Sequence, residues 1–400
     1  MSATKFSIPS EFQSQLRHKE VEDTRTNSDI LESLTHYAPI TSEKNIWAFW
    51  DKGVQIMHGW TQRDICDWVR ICGTGSNPWT VRISDADPES PNYALKWVEP
   101  SLLPASFVDG TMEGPYIGPH SADFLRGALL YAYGGVFMDV GNLLLRHLDR
   151  VGWNELEDDS NPYTIAVPLM YGQVIANHFV MARKGDEFIK QWHDLFIHLW
   201  QERTSHVGII QNPLLAFATN LDFSSSRASD FHWDFKIEPQ EVFEYISQVL
   251  AWLRLCSISG SDADPFDGSE YWQRHVLCFD ALQEDWPAEA TVGFRGEDTY
   301  HALQIKVDGP KDETWQKSYN LVWRMLTKSS MQKVTHGKHL TKDVHLGVLW
   351  DMHDEDDCEV GTFAELLRYG AVHFEQMREG IGKMPVVRAE VVMDKGVLEA

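Results

Sequence analysis

The stretch PHSADFLRGALLYAYGGVFMDVGNLLL, residues 119–145, decides how this chain folds. Ser121 is placed to cap a helix whose apolar face is Phe124, Leu125, Ala128, Leu129 and Ala132, and Gly134 with Gly135 stops it. Val136, Phe137 and Met138 then make a brief buried strand. Asp139 follows at that strand's carboxyl end, the place where open α/β sheets hold their ligands.

Upstream, NIWAFW (45–50) is a short apolar run closed by the turn residues Asp51, Lys52 and Gly53, which marks a buried strand. Ile65, Trp68, Val69 and Cys72 recur at helical spacing, with Thr61 as the cap and Gly73 as the stop, and WTVRISDAD (79–87) supplies a second strand. Strand, helix, strand with short connections is the βαβ grammar of a parallel sheet covered by helices. Downstream, TIAVPLM (164–170), HFVMARKG (178–185), CFDAL (278–282) and HALQIKV (301–307) read as strands. Residues 186–203, 312–327 and 362–378 read as helices. The expected organisation is an N-terminal extension over 1–40, one catalytic domain over 41–378 with a helical insertion near 224–267, and a C-terminal tail over 379–400.

Composition narrows the function. The 400 residues carry 35 Lys and Arg against 59 Asp and Glu, a net charge of −24. Such a chain repels polyanions, which argues against non-specific nucleic-acid binding and against anionic membranes. Five cysteines with no CxxC pair suit reduced thiols. The polar start of the chain has no apolar signal segment, and no run of 18 apolar residues occurs, so a cytoplasmic enzyme is expected. The phosphate loops GxGxxG and GxxxxGK[ST], the GxSxG elbow and the HExxH motif are all absent.

SADFLRGALLYAYGG followed by VFMDVG resembles the glycosyltransferases with a DXD sugar-binding motif, the group that includes family 32 enzymes and capsular-polysaccharide-synthesis proteins. NIWAFW is similar to that family's opening strand. The resemblance covers about residues 44–200 and implies a GT-A-like, Rossmann-related mixed sheet flanked by helices. It also implies a nucleotide-sugar donor, a small-molecule or saccharide acceptor, and a divalent cation, Mn or Mg. Carried onto this chain, it makes Asp139 the metal-binding carboxylate and places Asp123 and Arg126 on the donor sugar and its phosphate. Together these three form the expected catalytic set.

The chemistry suits those residue types. A departing diphosphate needs positive charge on its oxygens, and a hard cation needs carboxylate oxygens held rigidly. One departure stands out: the second acidic position is Gly141, which offers no ligand. The late VHLGVLWDMHDED segment (344–356) approximates, with its glycine one residue closer, the His-x-x-Gly-x-Trp segment that members of that group often carry, so the resemblance implies His345 as a second metal candidate, with Asp351, His353 and Asp354 close in sequence. Trp47 and Trp50 are candidates for stacking the base. Asn177 joins the donor-binding set, and His178 next to it is in reach of an acceptor.

Two rivals accompany this reading. One is an arginine-containing cyclodipeptide synthase that uses aminoacyl-tRNA on a glycosyltransferase-like scaffold, suggested by Gly141 and opposed by the net charge. The other is a sugar- or nucleotide-binding module without catalysis.

Overall fold

All five residues of β1 (Asn45–Phe49) are buried, and its four apolar ones divide between two clusters, Trp47 and Phe49 on one side, Ile46 and Ala48 on the other. A strand covered on both faces lies in the middle layer of a three-layer fold. The structure, a computed structural model, describes residues 5–221, 235–293, 295–334, 340–389 and 391–400.

The central sheet continues with β2 (Thr80–Ser84), β3 (Gly135–Met138), β4 (Ile165–Met170), β5 (Val174–Ile175), β6 (Phe179–Ala182), β7 (Val276–Asp280) and β8 (Lys383–Met384). Its order is β8-β7-β4-β6-β3-β1-β2, with β5 paired to β4. Strand β1 is parallel to β2 and β3, and β4 is parallel to β7. Strand β6 runs antiparallel between β3 and β4, which makes the sheet mixed, as expected for this fold class.

Helices α1 (Gly59–Cys72), α2 (Ile117–Tyr133), α3 (Glu187–Trp200) and α4 (Ser247–Leu255) cover the two faces. Ile65 and Trp68 of α1 join the Ile46 side, whereas Phe124 of α2, Trp192 of α3 and Trp252 of α4 join the Trp47 side. A third cluster holds α5 (Glu313–Lys328), α6 (Leu346–Met352) and α7 (Phe363–His373) together.

The Gly134-Gly135 turn brings β3 against β1. Their φ angles are +70° and +103°, and a Cβ on Gly135 would lie 2.2 Å from the Asn45 carbonyl oxygen. Only glycine tolerates both the conformation and the approach.

Several local expectations are corrected. Helix α2 starts at Ile117, so Ser121 lies inside it and its hydroxyl donates to the Ile117 carbonyl at 2.8 Å. Pro119 sits in the first turn, where the missing N–H would have had no helical partner. Thr61 likewise lies within α1, which starts at Gly59. HALQIKV is not a strand, because His301 to Gln304 close the helix Gly296–Gln304.

Both ends of the chain are more integrated than an extension and a tail imply. Leu16–His18 pairs antiparallel with Phe374–Gln376, and β8 pairs with β7. Arg254 Nε donates to the Val397 carbonyl at 2.9 Å. The expected insertion falls in part on residues outside those described. Its described part includes α4, whose Leu250 and Trp252 are fully buried in the main core.

Candidate active site

From β1 the chain passes to β2 on one side and returns to β3 on the other, so the strand order reverses between β1 and β3. Ligands of α/β sheets bind outside the carboxyl ends at such a reversal. Trp50 follows β1 there, and Asp139 follows β3.

Asp139 is held by main chain and side chain together. Its N–H donates to the His178 carbonyl at 2.9 Å. Its carboxylate accepts from two cations, Arg126 Nη2 on Oδ1 at 2.9 Å and Lys333 Nζ on Oδ2 at 3.0 Å. The side chain keeps 32% of its exposure, so one side of it remains open. Burial alone would raise its pKa, but Lys333 and then Arg126 outweigh burial and hold it down to about 2.

The web extends from there. Arg126 Nη1 also donates to Asp123 Oδ1 and to Gln248 Oε1. Asn177 Nδ2 donates to the same two oxygens, at 3.2 and 2.9 Å, and Gln248 Nε2 returns a bond to the Asp123 carbonyl at 2.5 Å. Asp123 and Arg126 share a face of α2 one turn apart, and the Gly-Gly turn brings β3's end back beside that face. Such a web holds polar groups rigidly where charge is to be met.

Four residues expected from the sequence, Asp123, Arg126, Asp139 and Asn177, are thus brought together. Trp47 is not with them. It is fully buried, its indole N–H donates to the Gly134 carbonyl at 3.0 Å, and Trp97, Tyr133 and the Arg82 guanidinium surround its ring. No face is left for a base, so its role as a donor-stacking residue is withdrawn. Trp50 stays half-buried at the rim, with its indole N–H unpartnered among the described residues. His178 pairs with Asp285 at 2.7 Å and stacks on Trp286, behind Asp139.

The start of α6 packs near the site, since Gly347 N–H donates to the Val334 carbonyl and Val334 N–H to the Gly141 carbonyl. His345 is 3% exposed and its Nε2 meets Thr341 Oγ1 at 3.0 Å, where it begins α6. Its sequence neighbours point elsewhere: Asp351 accepts from Trp60 Nε1, Asp354 pairs with Arg63, and His353 lies against Tyr300. Among the described residues no group of three His, Cys, Asp or Glu side chains could hold a metal ion. With Gly141 at the second acidic position and two cations on the Asp139 carboxylate, this donor set does not fit a divalent ion.

Lys333 and Gln248 were not foreseen. Met331–Lys333 pairs antiparallel with Asn142–Leu144, and that register sets Lys333 opposite Asn142, three residues beyond Asp139. The lone lysine in the MQKV run was the available hint. Gln248 lies at the start of a helix with no motif around it.

Comparison with known proteins identifies the family. A family profile described as the glycosyltransferase sugar-binding region containing the DXD motif matches residues 105–158. The probable glycosyltransferase FCK3 of Fusarium pseudograminearum is 49% identical over 98% of this chain and 99% of its own length. The O-glycosyltransferase braB of Annulohypoxylon truncatum is 35% identical over 94% of this chain and 91% of its own. The O-glycosyltransferase PaGT of Phomopsis amygdali is 34% identical over 89% and 88%. Among solved structures, the PaToxG glycosyltransferase matches 46% of this chain and 70% of its own at 18% identity and a TM-score of 0.27, too distant to add to the fold described above. Nothing in these comparisons supports the cyclodipeptide synthase. Near-full-length identity of this order, with Asp123, Arg126 and Asp139 gathered at the sheet rim, places the chain in the family of glycosyltransferases that carry the DXD sugar-binding region.

Proposed function

We propose that this enzyme transfers a glycosyl group from a nucleotide-sugar donor to a hydroxyl of a small-molecule acceptor. The observation that carries the reading is the Arg126 bridge between Asp123 and Asp139 at the β1/β3 reversal. Two relatives bear the name O-glycosyltransferase, which supports oxygen as the nucleophile.

In this reading the sugar lies over Asp123, Asn177 and Arg126, whose polar groups face its hydroxyls, and the diphosphate lies at Asp139. Trp50 flanks the nucleoside. The bond from the anomeric carbon to the diphosphate breaks, and the acceptor oxygen forms the new one. Rigid polar side chains at a half-buried rim stabilise the departing charge without reorganising. Enzymes with the DXD region generally use a divalent metal. Since this chain's donor set does not fit one, no step is assigned to it.

No helix among the described residues is long and apolar enough to cross a membrane. All five cysteines are free, which supports work in a reducing compartment such as the cytoplasm.

Incubating the purified chain with a panel of nucleotide sugars and a mixture of hydroxylated small molecules tests the proposal. A product heavier by one glycosyl unit supports it. Donor left intact, with no nucleotide released across the whole panel, overturns it.

A further inference from the structure

Two cations meet the Asp139 carboxylate, and neither has all of its N–H groups taken among the described residues. Arg126 is 2% exposed and holds Asp123, Gln248 and Asp139 through Nη1 and Nη2, while its Nε–H has no partner among the described residues and its guanidinium lies 4.9 Å from the Phe137 ring. Lys333 is 4% exposed, and its ammonium makes one hydrogen bond among the described residues, to Asp139 Oδ2. An ammonium has three donors. Two N–H groups on a buried charge with no acceptor among the described residues are unfavourable unless a further oxygen meets them.

Lys333 is also rigidly placed. Its strand pairs with Asn142–Leu144, and its own N–H donates to the Asp285 carbonyl at 2.8 Å. It therefore presents a fixed positive charge at the carboxylate that the resemblance assigns to a metal ion, two residues before Gly141 at the second acidic position. A divalent ion bound to Asp139 would sit against this ammonium and be repelled by it.

We propose that Lys333 takes the place of the divalent cation and pairs with the diphosphate of the donor, Asp139 serving to hold its ammonium at the rim. The inference rests on the nucleotide-sugar reading above. When the anomeric carbon–oxygen bond breaks, its electron pair stays on the diphosphate oxygen, toward which Lys333 donates N–H hydrogen bonds without giving up a proton. The acceptor oxygen bonds to the anomeric carbon, and its proton passes to the released diphosphate. Lys333 is then a catalytic residue of this chain, and the site runs without metal.

The test is calorimetric titration of the full chain with UDP and with GDP, after treatment with EDTA and again with manganese added. The expected result is that at least one nucleoside diphosphate binds the EDTA-treated chain and that manganese leaves its affinity unchanged. Lys333→Met should weaken that binding by about tenfold or more, while Lys333→Arg, which keeps the charge, retains most of it. Melting temperatures of both variants separate lost binding from lost folding, and the wild-type comparison needs no variant. Binding that disappears in EDTA and returns with manganese overturns the inference and leaves the donor reading standing. So does a folded Lys333→Met chain that binds as wild type does. If neither UDP nor GDP binds with or without manganese, while the donor panel yields no released nucleotide, the donor reading itself fails and this inference with it.

Discussion

Arg126 and Asp139, thirteen residues apart, are joined at 2.9 Å across the turn that links helix α2 to strand β3. The same guanidinium reaches Asp123 on its own helix and Gln248 on α4, so one side chain ties three elements to the sheet rim. A fork of fixed N–H donors is what allows this, and an ammonium has no equivalent.

Arg126→Lys should therefore fail although it keeps the charge. A single ammonium cannot serve Asp123, Asp139 and Gln248 together. Turnover is expected to fall by about two orders of magnitude, and stability in urea by about 2–4 kcal/mol, since buried partners are left unpaired. Steady-state kinetics and denaturation curves on the purified variant check both.

Gln248→Leu removes the acceptor shared by Arg126 and Asn177 and the donor to the Asp123 carbonyl. Leucine fits the volume but leaves these buried groups unsatisfied, at a cost of about 1–3 kcal/mol. The affinity for donor should weaken more than for acceptor, because Gln248 touches only the donor-side web. Separate KM values for the two substrates would show the asymmetry.

Gly135→Ala tests the turn that delivers Asp139. The added methyl would meet the Asn45 carbonyl oxygen at 2.2 Å on a residue with φ +103°. Expected is a loss of about 3 kcal/mol or more, or no soluble protein. Gly118→Ala, in the first turn of α2 with nothing within 4 Å of the new Cβ, should be neutral or slightly stabilising, and thermal melts of the pair make the comparison.

How far the sequence reveals this protein depends on where each residue's constraint comes from. The carboxyl end of β3 was legible because the helix, the two glycines and the apolar triplet are contiguous, and all three are local signals. NIWAFW was legible as a buried strand, yet Trp47 within it was still kept as a candidate for stacking the base. In a strand covered on both sides, every position is interior. The grouping of Asp351, His353 and Asp354 with His345 misled because nearness in sequence was read as nearness in space, whereas those three residues meet Trp60, Tyr300 and Arg63. Lys333 and Gln248 were hidden for a different reason: they reach the site through strand pairing and helix packing across more than a hundred residues, and no local spacing encodes that.

Acid sensitivity should arise beside the site. His206 is 3% exposed, and its ring lies 5.2 Å from His120 and 5.1 Å from Tyr116. Burial, and then the charge of His120, hold its pKa down from 6.5 to about 4. The folded state therefore binds fewer protons than the unfolded one between these values, and stability present above pH 6.5 is lost as the pH falls toward 4. The effect is about 3 kcal/mol at most. His206→Phe, similar in size and unable to titrate, should flatten that part of a stability–pH curve, as urea midpoints across the range would report.

Asp139→Asn measured for folding and donor affinity together is the most direct test of the whole account. The amide keeps the size of the side chain and loses the charge that holds Lys333 and Arg126 in place. The account predicts a folded protein, somewhat less stable, that turns over donor about 100-fold more slowly or worse. A folded variant with wild-type donor affinity and wild-type turnover would show that this carboxylate takes no part in the reaction, and would contradict it.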